Sequence, residues 1–144
     1  MNDILKNLSK KQENLIDDSV KLEGNVLINP PVTIGENVVI KHNCIIGPNV
    51  VIGDNVYIDR DTQIKDALIY SQTNISKGVK IEKAIISNNC IIRDNAVLKG
   101  NKEGLIILAS NVEVESNIRL ITNINFSVSI CHHEAVKSDK IYSS

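Results

Sequence analysis

Large aliphatic residues recur at every sixth position between Ile34 and Ile58. A smaller side chain stands two positions before each of the later isoleucines. Residues two apart in a β-strand point to the same side, so each small and large pair is predicted to face inward, with the residue between them facing outward. The isoleucines are Ile34, Ile40, Ile46, Ile52 and Ile58, and the smaller residues are Val38, Cys44, Val50 and Val56.

An asparagine follows each of the first four isoleucines by three residues, at Asn37, Asn43, Asn49 and Asn55. Asparagine tolerates the left-handed turn conformation that a β-branched residue cannot easily adopt. Each unit is therefore predicted to be a short strand followed by a tight turn. A six-residue period of this kind is typical of a β-helix, in which coils bury a core only by stacking.

The period can be followed from Ile16 to Phe126, and three of its units are irregular. The units that begin at Ile64 and Ile81 have five residues, and the unit that begins at Leu98 has ten. Each of the three is the third unit of its coil, so all three irregularities fall on one corner of a three-sided prism. The pattern predicts six coils between residues 16 and 125, with a partial seventh.

Ten of the eighteen asparagines take the same turn position of the repeat, which strengthens the prediction. Pro31 takes that position in the first coil, and its ring forbids a positive φ. We therefore expect an irregular corner around residues 29–31.

The chain is predicted to contain an N-terminal cap at 1–15, the β-helix at 16–131 and a tail at 132–144. Residues 2–14 have the apolar spacing of a short amphipathic helix. Such a helix would cover the open end of the stack, where an uncovered coil exposes unpaired backbone groups.

Composition narrows the classes of partner. With 42% hydrophobic residues among 144, the chain suits one domain. Sixteen basic and seventeen acidic residues leave no strong field for nucleic acid or an anionic membrane. No apolar run approaches the roughly 20 residues that span a bilayer, and no signal core is seen, so a cytoplasmic location is expected. Cys44 and Cys90 take inward positions, where a thiol acts as a compact apolar filler.

Coils of this kind, including the shortened ones that begin ALIYSQ and AIISNN, resemble the left-handed β-helix of the hexapeptide-repeat transferase superfamily. They are most similar to the C-terminal β-helix of sugar-1-phosphate nucleotidylyltransferases. The left hand is implied by this resemblance alone. Members of that group also carry an N-terminal nucleotidylyltransferase domain with a Gly-rich loop, which these 144 residues lack. The resemblance thus implies a scaffolding or regulatory module, with no cofactor, whose partners are itself and a nucleotidylyltransferase domain or subunit.

An acyl-CoA-dependent transferase that acts on a sugar or sugar nucleotide at a subunit interface is the alternative. Relatives of that branch use acetyl-CoA and a histidine base, in a pattern similar to VHIGNAVEVKNS. This chain has VYIDRDTQIKDA, with Tyr57 at the histidine position. A phenol with a pKa near 10 is a poor general base at neutral pH. His42 remains as the candidate base.

His132 and His133 follow the last predicted unit, beside Glu134. Neighbouring residues rarely converge on one ion, so we expect no metal site.

The outward positions of the third side of the prism form an apolar column. They are predicted to be Thr33, Val51, Leu68, Ile85, Ile107 and Asn125. A stacked stripe of four aliphatic residues, Val51, Leu68, Ile85 and Ile107, usually marks an interface. It predicts a homo-oligomer, expected to be a trimer. The alternative is that the insertion at 100–104 folds back over the stripe.

Overall fold

The computed structural model describes residues 14–142, and this part of the chain is an all-β solenoid of short parallel strands. Its strands pair only with strands of neighbouring coils. The strands are β1 Leu15–Ile16, β2 Lys21–Leu22, β3 Val26–Ile28, β4 Val32–Ile34, β5 Val39–Ile40, β6 Cys44–Ile46, β7 Val50–Ile52, β8 Tyr57–Ile58, β9 Gln63–Ile69, β10 Asn74–Ile75, β11 Lys80–Ile86, β12 Ile91–Ile92, β13 Val97–Lys99, β14 Ile106–Leu108, β15 Glu113–Val114, β16 Arg119–Thr122, β17 Val128–Ile130, β18 Ala135–Val136 and β19 Lys140–Tyr142.

The strands stack into three sides around a central core. The first side is a seven-stranded sheet in the order β18-β15-β12-β10-β8-β5-β2. The second and third sides belong to one twelve-stranded sheet, because β9 and β11 continue round the corner between them. The stack makes about seven turns, which agrees with the six coils and partial seventh predicted from the sequence.

The interior is filled by the residues that the six-residue period assigned to it. From Ile34 to Leu120 the large inward positions are at most 2% exposed. Cys44 and Cys90 are buried fillers as predicted, and burial raises the pKa of both thiols. No helix long and apolar enough to cross a membrane occurs within residues 14–142.

The turns confirm the role predicted for asparagine. Asn37, Asn43, Asn49 and Asn55 have φ values of 56°, 59°, 62° and 59°. Asn25 and Asn123 are exceptions, because their φ values are not positive.

The irregular corner predicted for the first coil is present, and the same corner of the second coil is also irregular. Pro30-Pro31 and Gly47-Pro48 are both cis peptide bonds. Gly47 has a φ of 100°, and a Cβ there would collide with the carbonyl oxygen of Asn29 on the coil below. Glycine is therefore required where these two corners meet.

The three irregular units share one corner, as predicted. The strand residues immediately before this corner are in register, Lys65 with Glu82 and Glu82 with Lys99. The two shortened corners turn through Asp66 and Lys83, whose φ values are 50° and 55°.

The sixth coil was predicted wrongly. Ile107 pairs with Ser129 and Leu108 with Ile130, so this coil is as long as the fifth and has its own extended corner. Phe126, predicted to face inward, is 71% exposed. Ser129 replaces Asn125 in the outward column of the third side.

The coils continue through the stretch predicted as a tail. Strands β18 and β19 lie within residues 132–144 and pair with β15 and β16. Val136 is 1% exposed, so this last coil buries an inward residue like the others. The predicted N-terminal helix falls outside the described residues, except for Asn14, and the handedness of the coils stays a prediction.

Candidate functional site

The third side of the solenoid brings the four predicted interface residues into one column. Val51 is the register partner of Leu68, Leu68 of Ile85, and Ile85 of Ile107. Val51 is 44% exposed and Leu68 is 37% exposed, whereas Ile85 and Ile107 are half-buried. Because strands of one sheet lie about 4.8 Å apart, the column is a continuous apolar ridge.

A second column runs beside this ridge, and the sequence analysis missed it. It consists of the residue that follows the inward residue of the third side in the second to sixth coils, where all its members are uncharged, whereas Asp17 holds this position in the first coil. Consecutive members stack, since Gly35 N–H donates to Ile52 O at 2.8 Å and Gly53 N–H donates to Ile69 O at 2.7 Å. The members are Gly35, Gly53, Tyr70, Ser87 and Ala109.

We call the two columns together the third-side face: Thr33, Val51, Leu68, Ile85 and Ile107, with Gly35, Gly53, Tyr70, Ser87 and Ala109. None of these ten residues is charged, although charged residues make up 23% of the chain. The sequence already showed this lack of charge in the residue types that occupy one position of the repeat.

The two glycines of the face also have a local role. A Cβ on Gly35 would collide with Oδ1 of Asp54, which accepts a hydrogen bond from Glu36 N–H at 2.8 Å. A Cβ on Gly53 would lie 2.9 Å from the backbone nitrogen and Oγ of Ser71. Their lack of side chains therefore serves the corner and also leaves the face open to close approach.

The other two sides carry charges in both corresponding columns. On the second side, Lys80 and Arg119 face outward, and Lys65, Glu82 and Lys99 stand in the neighbouring column. On the first side, Arg93 pairs with Glu113 of the next coil. The third side is thus chemically distinct from both.

The hydrogen bonds of the insertion at 100–104 join it to the same corner of the neighbouring coils. Gly100 N–H donates to Glu82 O at 2.9 Å. Asn101 Nδ2 donates to the carbonyl oxygens of Thr122 and Ile124 at 2.9 and 3.0 Å. Within residues 14–142, none of its hydrogen bonds reaches the third-side face, and Val51 and Leu68 remain exposed.

His42 lies on a different part of the surface, at the corner that follows β5. Its carbonyl accepts a hydrogen bond from Asp61 N–H at 3.2 Å. Among the residues that the structure describes, its imidazole has no hydrogen-bond or ion-pair partner that would orient it. A general base is normally held by such a partner, so this geometry offers no assembled catalytic pair.

Tyr57, at the position that matches the histidine of the acetyltransferase branch, lies beside a cation. Lys41 Nζ is 5.9 Å from the centroid of its ring. Lys41 also forms an ion pair with Glu23, and this hydrogen bond raises the pKa of Lys41. A lysine held in its charged form cannot serve as a base at neutral pH.

His132 and His133 are exposed at the corner of the last coil, with ring centroids 6.5 Å apart. No group of three or more metal-ligating side chains is assembled anywhere in residues 14–142.

Comparison with protein families identifies the repeat. The family model of the GMPPB C-terminal domain matches residues 28–143. The assignment to the hexapeptide-repeat superfamily, made from the sequence pattern, is confirmed. No curated protein matches the chain.

Several solved structures align with the chain at low identity. A hexapeptide transferase family protein from Anaplasma phagocytophilum is 18% identical over 88% of this chain and 71% of its own, with a TM-score of 0.42. LpxA from Acinetobacter baumannii is 15% identical over 85% of this chain and 64% of its own, with a TM-score of 0.40. A point mutant of perosamine N-acetyltransferase from Caulobacter crescentus is 13% identical over 99% of this chain and 60% of its own, with a TM-score of 0.44. Similarity at this level does not assign an activity to the chain.

Proposed function

Because this chain belongs to the family of the GMPPB C-terminal domain, we propose that it acts as an oligomerising scaffold module that associates with further copies of itself through the third-side face. The observation that carries this proposal is the absence of charge from all ten residues of that face, on a chain whose other two described sides are charged. Desolvating charged side chains opposes association, whereas aliphatic and small residues can be buried at little cost.

The size of the apolar ridge is consistent with a role in association. If roughly 300 Å² of apolar surface is covered on each subunit, the gross gain is about 7 kcal/mol at about 25 cal/mol per Å². The loss of translational and rotational freedom offsets much of this gain. The ridge alone therefore supports a moderate affinity, and the adjoining column of small residues allows the two backbones to approach closely and add further contacts.

We expect a homotrimer, and a nucleotidylyltransferase domain or subunit as the component that the scaffold organises. Neither His42 nor Tyr57 has the surroundings of a general base, so the function proposed for this module is assembly rather than acyl transfer.

Light scattering of the purified chain tests the proposal. The parent should have a mass of about 48 kDa, three times the 15.9 kDa of one chain. Changing Leu68 and Ile85 together to Lys places two like charges on register partners and against the neighbouring subunit. This double variant should scatter as a monomer and keep the circular dichroism spectrum of the parent, because both side chains point away from the core.

Ile91→Lys is the matched control. Ile91 is 39% exposed, close to the 37% of Leu68, but it lies on the first side. This variant should keep the mass of the parent. A monomeric parent, or loss of assembly in Ile91→Lys to the same extent as in the double variant, would contradict the proposal.

A further inference from the structure

The second side of the solenoid contains a groove of about 610 Å³. Its floor is formed by outward residues of four consecutive coils, which follow one another in the order Ile45, Gln63, Lys80 and Val97. Asn29 and Pro48, on the irregular corner of the first two coils, line one part of it. The groove is separate from the third-side face and shares none of its residues.

Three lysines line this groove, and only one acidic residue stands among them. Lys65 and Lys99 are the register partners of Glu82 on either side, so the three form one column. Lys80 precedes Glu82 by two residues on the same strand and faces the same way. The groove therefore holds a net positive charge on a chain whose net charge is −1.

The single carboxylate does not neutralise this charge. Lys65 Nζ lies 3.5 Å from Glu82 Oε1. Lys80 and Lys99 have no ion-pair partner within residues 14–142. Two lysine side chains of the groove lining are thus left without a counter-ion among the described residues, and Val97 is the register partner of Lys80.

We propose that this groove binds a small phosphorylated molecule, with its phosphate between Lys80 and Lys99 and its carbon skeleton over Val97, the register partner of Lys80. A phosphate offers several acceptor oxygens, and hydrogen bonds from ammonium groups to such oxygens are charge-assisted. The aliphatic floor gains by covering an apolar part of the ligand.

Methyl NMR of the purified chain, titrated with phenyl phosphate, tests the site. The probe joins one phosphate to one apolar ring. The methyl signals of Val97 should shift on addition, whereas those of Ile91 on the first side should not. Inorganic phosphate, which lacks the ring, and phenol, which lacks the phosphate, should each bind at least about tenfold more weakly, a difference of about 1.4 kcal/mol, because each lacks one of the two parts that contact the groove.

Charge variants assign the binding to the lysines. A Lys80→Gln, Lys99→Gln double variant should bind phenyl phosphate at least about tenfold more weakly, because two charge-assisted hydrogen bonds are lost. The corresponding double change to Arg should retain binding. Lys21→Gln, on the first side, is the control for a general loss of charge and should bind as the parent does.

The site proposal would be overturned by the absence of shifts at Val97, by equal binding in the Gln double variant, or by an equal loss in Lys21→Gln. Equal affinity for phenyl phosphate and inorganic phosphate would overturn the role given to the aliphatic floor. The test is independent of assembly, because the Leu68→Lys, Ile85→Lys variant should bind the probe as the parent does.

Discussion

A positive φ at one residue of most units turns the chain from one side of the prism to the next. Asparagine provides this angle at most regular corners, with φ values between 56° and 63°. Asp61 and Gln72 provide it at two others, with φ values of 59° and 62°. The six-residue period located these positions because asparagine is concentrated in that phase of the repeat. Lys83 and His133 were not located, because both lie where the period breaks or ends, and lysine is not among the residue types enriched in the left-handed region.

Replacing Asn55 tests the importance of the turn angle. The φ of Asn55 is 59°, and its side chain is exposed. Asn55→Val should lower the free energy of unfolding by about 1–2 kcal/mol, because a β-branched residue is strained in the left-handed region. Asn55→Gly is the matched control, since glycine adopts this conformation without strain, and it should cost clearly less. Urea denaturation of the three proteins measures the difference, and equal stability of the Val and Gly variants would contradict the argument.

The extended corners of the fifth and sixth coils behave as one structural element. Asn101 joins them, because its amide nitrogen donates to Thr122 O and Ile124 O while its Oδ1 accepts from the backbone N–H groups of Glu103 and Gly104. The first insertion was visible in the sequence as a break in the period. The second was not, because Phe126 follows Leu120 by six residues and so imitates an inward position. The hydrogen bonds of Asn101 to the next coil require a matching corner on that coil. Hydrogen bonds of this kind leave no signature in the hydrophobic pattern.

Removing the side chain of Asn101 should destabilise both corners. In Asn101→Ala, the part-buried carbonyl oxygens of Thr122 and Ile124 lose their donor, and the local turn at Glu103 and Gly104 loses its acceptor. A loss of about 1–3 kcal/mol in the free energy of unfolding is expected. Lys102→Ala, one residue along and exposed, is the control and should be nearly silent. Urea denaturation that shows no difference between the two variants would mean that solvent replaces these bonds at no cost.

At the scale of the whole molecule, the inward residues determine the coils, and the outward residues distinguish the three sides. The hydrophobic period predicted the coils because truncating an inward aliphatic residue lowers the free energy of unfolding. The inward positions therefore form a strong and regular hydrophobic pattern. Outward positions are under no such constraint from the core, so their pattern has to be interpreted column by column. The ridge was found in this way, whereas the uncharged column beside it was overlooked. The extra coil at 132–142 was missed because its inward residues, apart from Val136, do not keep the aliphatic period.

Self-association through the third-side face should make the thermal stability depend on protein concentration. A folded chain that binds only to other folded chains is stabilised by mass action, so the melting temperature of the parent should rise with concentration. Between about 2 and about 200 μM, an increase of about 5 °C is expected for a chain of this size. The Leu68→Lys, Ile85→Lys variant should melt at one temperature throughout this range, whereas Ile91→Lys should follow the parent. Differential scanning calorimetry at the two concentrations measures the effect. A parent whose melting temperature does not change, or a double variant that shows the same rise, would be incompatible with assembly through this face.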